Sequence, residues 1–206
     1  MAAFSLVLLG ALLGVRHAVD PDHVVAIGTI ATRSVSLRRS AMVGALWGLG
    51  HTVTVMAVGG TLVLLRATIA PRLALGMEFS VAIMLIVLGL VNLRAARESE
   101  PPSSSPRRPL LVGLVHGMAG SASIALLVLT TIPGPAAGLM YLLCFGVGTV
   151  AGMLAVTSMI VFPCSMLLAR SGLSRRWLVA TSGLASVAFG VMLAYSLGGA
   201  VALAAP

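Results

Sequence analysis

The sequence predicts an all-α integral membrane protein of about six transmembrane helices, built as two inverted three-helix repeats, with the first helix kinked at a polar motif. Three observations predict it. First, 59% of the 206 residues are hydrophobic, 9% are charged and the mean hydropathy is +1.10, whereas soluble domains carry about 25% charged residues. So few polar side chains cannot cover a water-soluble core. Second, apolar runs of bilayer-spanning length recur along the chain, separated by arginine-bearing turns. Third, the two halves carry similar glycine and histidine motifs in the same order.

A spanning helix needs about 20 mainly apolar residues, and candidates fall at 3–31, 41–65, 74–94, 109–132, 137–168 and 177–201. The apolar N-terminus lacks a basic n-region and runs straight into the polar motif, so it reads as the first membrane helix rather than a cleavable signal peptide. One extended linker, 95–108, reads AARESEPPSSSPRR and has a flexible Pro/Ser composition. It divides the chain into a first three-helix unit, 1–94, and a second, 109–206. Cys144 and Cys164 lie 20 residues apart in one helical segment, or ~30 Å at ~1.5 Å rise per residue, too far for a disulfide. They read as packing residues.

The halves align motif by motif. Gly14-x-x-His17 matches Gly113-x-x-His116, and Trp47-Gly-Leu-Gly50-His-Thr-Val53 resembles Phe145-Gly-Val-Gly148-Thr-Val150 without its histidine. Ser80-Val-Ala82 matches Ser186-Val-Ala188. Three helices per half would place the halves upside down relative to each other, with a binding site near the midplane at their interface. Loops after the first, third and fifth helices hold Arg33, Arg38, Arg39, Arg94, Arg97, Arg107, Arg108, Arg170, Arg175 and Arg176, against Arg66 and Arg72 on the other side. The positive-inside rule makes the arginine-rich side cytoplasmic and puts both termini outside a plasma membrane. The net charge of +8 therefore speaks for membrane orientation, not for nucleic acid, because the arginines are scattered and aromatics are sparse.

All four histidines, His17, His23, His51 and His116, fall inside predicted spans, as do Asp20 and Asp22. A charge at the bilayer centre costs at least ~2.5–3.5 kcal/mol, so intramembrane ionisable groups are functional by default. In a continuous helix, His17, Asp20 and His23 form one ridge and Asp22 points away from it. Pro21 cannot donate to the carbonyl of residue 17, so the helix should kink there and free a carbonyl. Such a break is tolerated only where backbone lines a cavity or is buried in protein. Imidazole and carboxylate together suit Ni, Co, Cu, Zn or Fe, and the lack of thiolate in the cluster argues against Cu(I). The competing reading is a histidine–aspartate network that locks the helix. Arg16 reads equally as a buried partner of Asp20 or Asp22 or as a phosphate-facing anchor, and Glu78 reads as interfacial. The chain has no lysine, which excludes a Walker A site and ATP binding by that device, and it has no H-E-x-x-H. No enzymatic constellation stands out.

Arg16-His17-Ala18-Val19-Asp20-Pro21-Asp22-His23 resembles the signature of the nickel/cobalt transporter family, usually R-H-A-[VF]-D-A-D-H-I. Here Pro21 and Val24 replace the common Ala and Ile. Leu49-Gly50-His51-Thr52-Val53 is similar to the second family motif, which begins L-G-H-[ST]. The family's H-G-x-G-F-D-T-A-T-E stands here as His116-Gly-Met-Ala-Gly-Ser-Ala-Ser123, without its acids. That departure resembles the family's smaller urease-accessory-like or nickel/cobalt efflux-like membrane relatives. The resemblance implies metal binding by His17, Asp20, Asp22, His23 and His51, and the repeat adds His116. The expectation is a secondary transporter of Ni²⁺ or Co²⁺, carried as substrate with no tightly bound cofactor. The alternatives are an efflux protein of the same fold and a non-transporting accessory that delivers nickel to urease or hydrogenase maturation. Linker 95–108 has no histidine, which favours uptake.

Overall fold

The computed structural model describes residues 2–32, 36–98, 105, 107–118, 128–171 and 174–203. Its helices are α1 (Ala2–His17), α2 (Pro21–Ala31), α3 (Leu37–Leu65), α4 (Pro71–Ala95), α5 (Arg107–Met118), α6 (Pro135–Ser171) and α7 (Arg175–Leu203). A further helical turn covers 128–130, and there is no strand among the described residues. Proline marks the starts where its missing N–H costs nothing: Pro21 opens α2 and Pro71 opens α4. α3 stops at Arg66, whose φ of 50° takes the chain out of the helix.

Among the described residues, four helices are long and apolar enough to cross a membrane: Leu37–Leu65, Pro71–Ala95, Pro135–Leu168 and Arg175–Gly199. Phe4–His17 and Pro21–Ala31 meet that test together, bent by 59° at their break, which gives up to five spans. The chain is thus a multi-pass membrane protein. Of the span expected at 109–132, α5 and the turn at 128–130 are described, and 119–127 lie outside the described residues. Between 22% and 44% of each long span is buried within the protein. Lipid must cover the rest, and the exposed side chains fit: Leu64, Leu65, Val147, Met159 and Trp177 all stand out from the bundle.

α1 packs on α6, α3 on both α5 and α6, and α4 on α7, while α2 lies against α4, α6 and α7. Small residues let these backbones touch. A methyl group at Gly14 would collide with the Phe145 carbonyl oxygen and the Thr149 amide nitrogen. One at Gly113 would collide in the same way with the Trp47 carbonyl and the His51 amide. Gly148 faces the Ala11 carbonyl as Gly50 faces that of Leu110. Gly89 abuts the Gly183 carbonyl and Val187 amide, and Gly190 abuts those of Ala82 and Ile86. Every one of these contacts has a counterpart, about 100 residues along, in which the two halves exchange roles. The contacts pair Gly89 with Gly190 and Ala82 with Gly183, so α4 and α7 correspond in a different register from the Ser-Val-Ala match in the sequence.

Candidate metal centre

The centre is built on the break between α1 and α2. Pro21 has no amide proton for the His17 carbonyl. The chain does not kink through it: α1 ends at His17 and α2 begins afresh at Pro21. The intervening turn satisfies its own backbone, with Val19 N–H donating to Arg16 O at 3.1 Å and Asp20 N–H donating to His17 O at 3.1 Å. Asp20 occupies the position before α2 in extended conformation (ψ 143°), and its carboxylate does not cap the helix. Instead Asp20 Oδ2 lies 2.8 Å from His17 Nδ1.

The break rearranges the motif relative to an unbroken helix, and the single ridge of His17, Asp20 and His23 does not form. Asp22, in the first turn of α2 where a carboxylate suits the helix dipole, is turned inward. Its Oδ1 accepts the His23 amide at 3.0 Å and lies 3.1 Å from His23 Nδ1, while Oδ2 lies 3.0 Å from His116 Nε2. Asp20 is the partly exposed member of the pair, 29% against 16% for Asp22.

The four histidines converge from four elements: His17 from α1, His23 from α2, His51 from α3 and His116 from α5. All four are buried, and three of them are fully enclosed. His17 Nε2 and His51 Nε2 are 3.1 Å apart. The His23 ring centre lies 4.5 Å from that of His17, 4.2 Å from that of His116 and 5.3 Å from that of His51. Among the described residues, two sets each bring their donor atoms within 4.8 Å of one another: His17, His23 and His51, and Asp22, His23 and His116. His23 Nε2, His51 Nδ1 and His116 Nδ1 are buried without a hydrogen-bond partner. Buried polar atoms are ordinarily satisfied, and imidazole nitrogens without a partner are groups that a bound cation could take as ligands.

Five of the six residues expected in a metal site thus belong to one of the two donor sets. Asp20 belongs to neither and instead holds the far nitrogen of His17, a carboxylate–histidine arrangement that fixes the ring and tautomer of a ligand. Arg16 is exposed and is not paired with Asp20 or Asp22, whose ion pairs are with histidines. Sequence reasoning did not assign Trp47 to the site. Its buried indole stacks on His23 at 5.8 Å with 10° between planes and meets His116 edge-on at 5.5 Å. Its spacing from His51, one helical turn, was the available signal. Phe145 lies against His17, with ring centres 5.4 Å apart and planes tilted by 37°.

Comparisons with known proteins bear on this centre. Residues 3–99, which hold α1 to α4 and their histidines, match the family NicO, described as high-affinity nickel-transport protein. The urease accessory protein UreH of Bacillus sp. (strain TB-90) is 35% identical over 94% of this chain and 92% of its own length. The chloroplast proteins FOR GROWTH AND FERTILITY 1 and 2 of Arabidopsis thaliana are each 28% identical, over 73% and 70% of this chain and 48% and 44% of theirs. No solved structure matches the chain. The chain is similar over nearly its whole length to UreH and belongs to its family, and its first half carries the match to NicO.

Proposed function

We propose that this protein is a secondary transporter that carries Ni²⁺, and Co²⁺ as a second cargo, across the plasma membrane into the cell. The observation that carries the reading is the convergence of four buried histidines and Asp22 at a broken membrane helix. A bare dication cannot be left in hydrocarbon. Neutral imidazoles and one carboxylate replace its water, and their softness suits nickel and cobalt. His17, His23, His51, Asp22 and His116 are the ligands in this reading, with Asp20 orienting His17. Each donor set offers three atoms, so the ion is held without a closed cage and can leave. The exchanged contacts between the halves support two inverted three-helix repeats, 1–94 and 109–206 joined by linker 95–108, which rock about the site. The arginine-rich turns then face the cytoplasm and both termini face outward.

Cells expressing the chain should accumulate ⁶³Ni faster than cells with an empty vector. Well-inserted His17→Ala and Asp22→Asn variants should not. Accumulation by those variants at the wild-type rate would remove the reading, and lowered accumulation by the wild type would reverse its direction to efflux. The name of the UreH relative favours a second reading, in which the chain binds nickel and passes it to urease maturation without moving it across the bilayer. Purified protein in vesicles separates the two, since an accessory binds Ni²⁺ but gives no flux.

A further inference from the structure

His23 belongs to both donor sets, and it is the one residue that does. Its two nitrogens stand in different surroundings. Nδ1 is 3.1 Å from Asp22 Oδ1, on the side of Asp22 and His116, whereas Nε2 is buried with no partner. A neutral imidazole has one lone pair and one N–H, so it can ligate through one nitrogen at a time. The ring also lies nearly equidistant from those of His17 and His116, at 4.5 and 4.2 Å. Those two histidines are counterparts in the exchanged contacts of the halves, since Gly14 and Gly113 precede them by one turn and approach equivalent backbone.

We propose that His23 is a shared ligand through which one divalent ion is handed between two positions, one with His17 and His51 and the other with Asp22 and His116. Binding through Nε2 joins His23 to the histidine trio while Nδ1–H donates to Asp22. Binding through Nδ1 joins it to Asp22 and His116, with the proton given up by Nδ1 and one carried instead on Nε2, and leaves the trio without its third donor. Occupancy of one position therefore empties the other. The first position draws only on the first half of the chain and the second includes His116 from the other half, so the hand-off moves the ion from one half towards the other. The hand-off rests on the metal-transport reading above.

The test uses the full-length purified chain, with Co²⁺ as a spectroscopic probe and Ni²⁺ for flux into vesicles. Wild-type protein should bind one Co²⁺ per chain at saturation. His51→Ala and His116→Ala should each still bind one Co²⁺, with different ligand-field spectra, because the ion rests on a nitrogen-only set in one position and a carboxylate-containing set in the other. Both should lose at least about 100-fold in Ni²⁺ flux, more than loss of an outer-shell partner costs, and His23→Ala should bind neither ion. The isosteric His51→Gln and His116→Gln carry the same expectations where the alanine variants aggregate. Two Co²⁺ per wild-type chain would overturn the hand-off, since the positions would then be independent. So would identical spectra for the His51 and His116 variants, or loss of binding in both, since the ligands would form a single site; transport would survive either result. A wild-type chain that binds no ion at all would overturn the transport reading itself.

Discussion

The first half of the chain and the second share a skeleton but not a chemistry. Gly14 meets Phe145 and Thr149 as Gly113 meets Trp47 and His51, and the aromatic–histidine contacts repeat too, Phe145 on His17 at 5.4 Å and Trp47 on His116 at 5.5 Å. Yet the first half supplies His17, Asp20, Asp22, His23 and His51 to the centre, and the described part of the second supplies His116. Where α3 places His51, α6 places Thr149, whose hydroxyl donates to its own Phe145 carbonyl at 2.9 Å. The crossings are therefore carried by small residues in both halves, and most of the polar residues of the centre by one of them.

The largest effect should come from breaking what the halves share. Gly14→Leu and Gly113→Leu each drive a side chain into backbone that cannot retreat, at a cost of about 3 kcal/mol or more. Both variants should fail to give a monodisperse protein in detergent, and to a similar extent. A well-folded Gly113→Leu beside an aggregated Gly14→Leu would show that the two crossings are not equivalent.

Next comes the difference itself. His51→Thr gives α3 the residue that α6 already carries at the corresponding position. It should leave the fold intact, as judged by thermal stability in detergent, and lower nickel flux by at least about 100-fold, since a ligand is lost outright. Flux within a few-fold of wild type would take His51 out of the pathway.

Asp20→Asn should have a smaller effect, because Asp20 acts through His17. Losing the carboxylate that fixes a ligand's ring costs about 10–100-fold in metal affinity, while the amide oxygen can still accept from Nδ1. The weakened binding should therefore be accompanied by an unchanged ion count per chain. A changed ion count would make Asp20 a ligand.

Much of this was legible in the sequence. The spans of α3, α4, α6 and α7 follow from apolar length alone, since lipid must be matched by about 20 residues. The polar motif, His51 and His116 stand out because ionisable groups are rare at membrane depth. A break at Pro21 that lets Asp22 join the histidines was legible; that Asp20 falls outside both donor sets was not, because the projection that puts it on one ridge with His17 and His23 assumes continuous helical phase and the chain restarts its phase at Pro21. Nor was Trp47, since an aromatic in an apolar helix is ordinarily packing. The register of α4 on α7 was hidden for a different reason: helices rich in Gly, Ala and Val offer many chance matches, and only the contacts of Gly89 and Gly190 distinguish among them.

The smallest effect should come from Thr149→Val, the mirror of the His51 experiment. Valine keeps the shape and removes a hydroxyl whose hydrogen bond stays within its own helix, a bond that adds little net stability and slightly perturbs the helix that carries it. Stability should shift by less than ~1 kcal/mol and nickel flux by less than about twofold. Thr149 is fully buried against Gly14, one turn from His17, so it is well placed to report any role of the second half in conduction. A tenfold fall in flux without loss of stability would mean that the hydroxyl touches the ion's path, and that the second copy kept a share of the chemistry that the histidines make visible in the first.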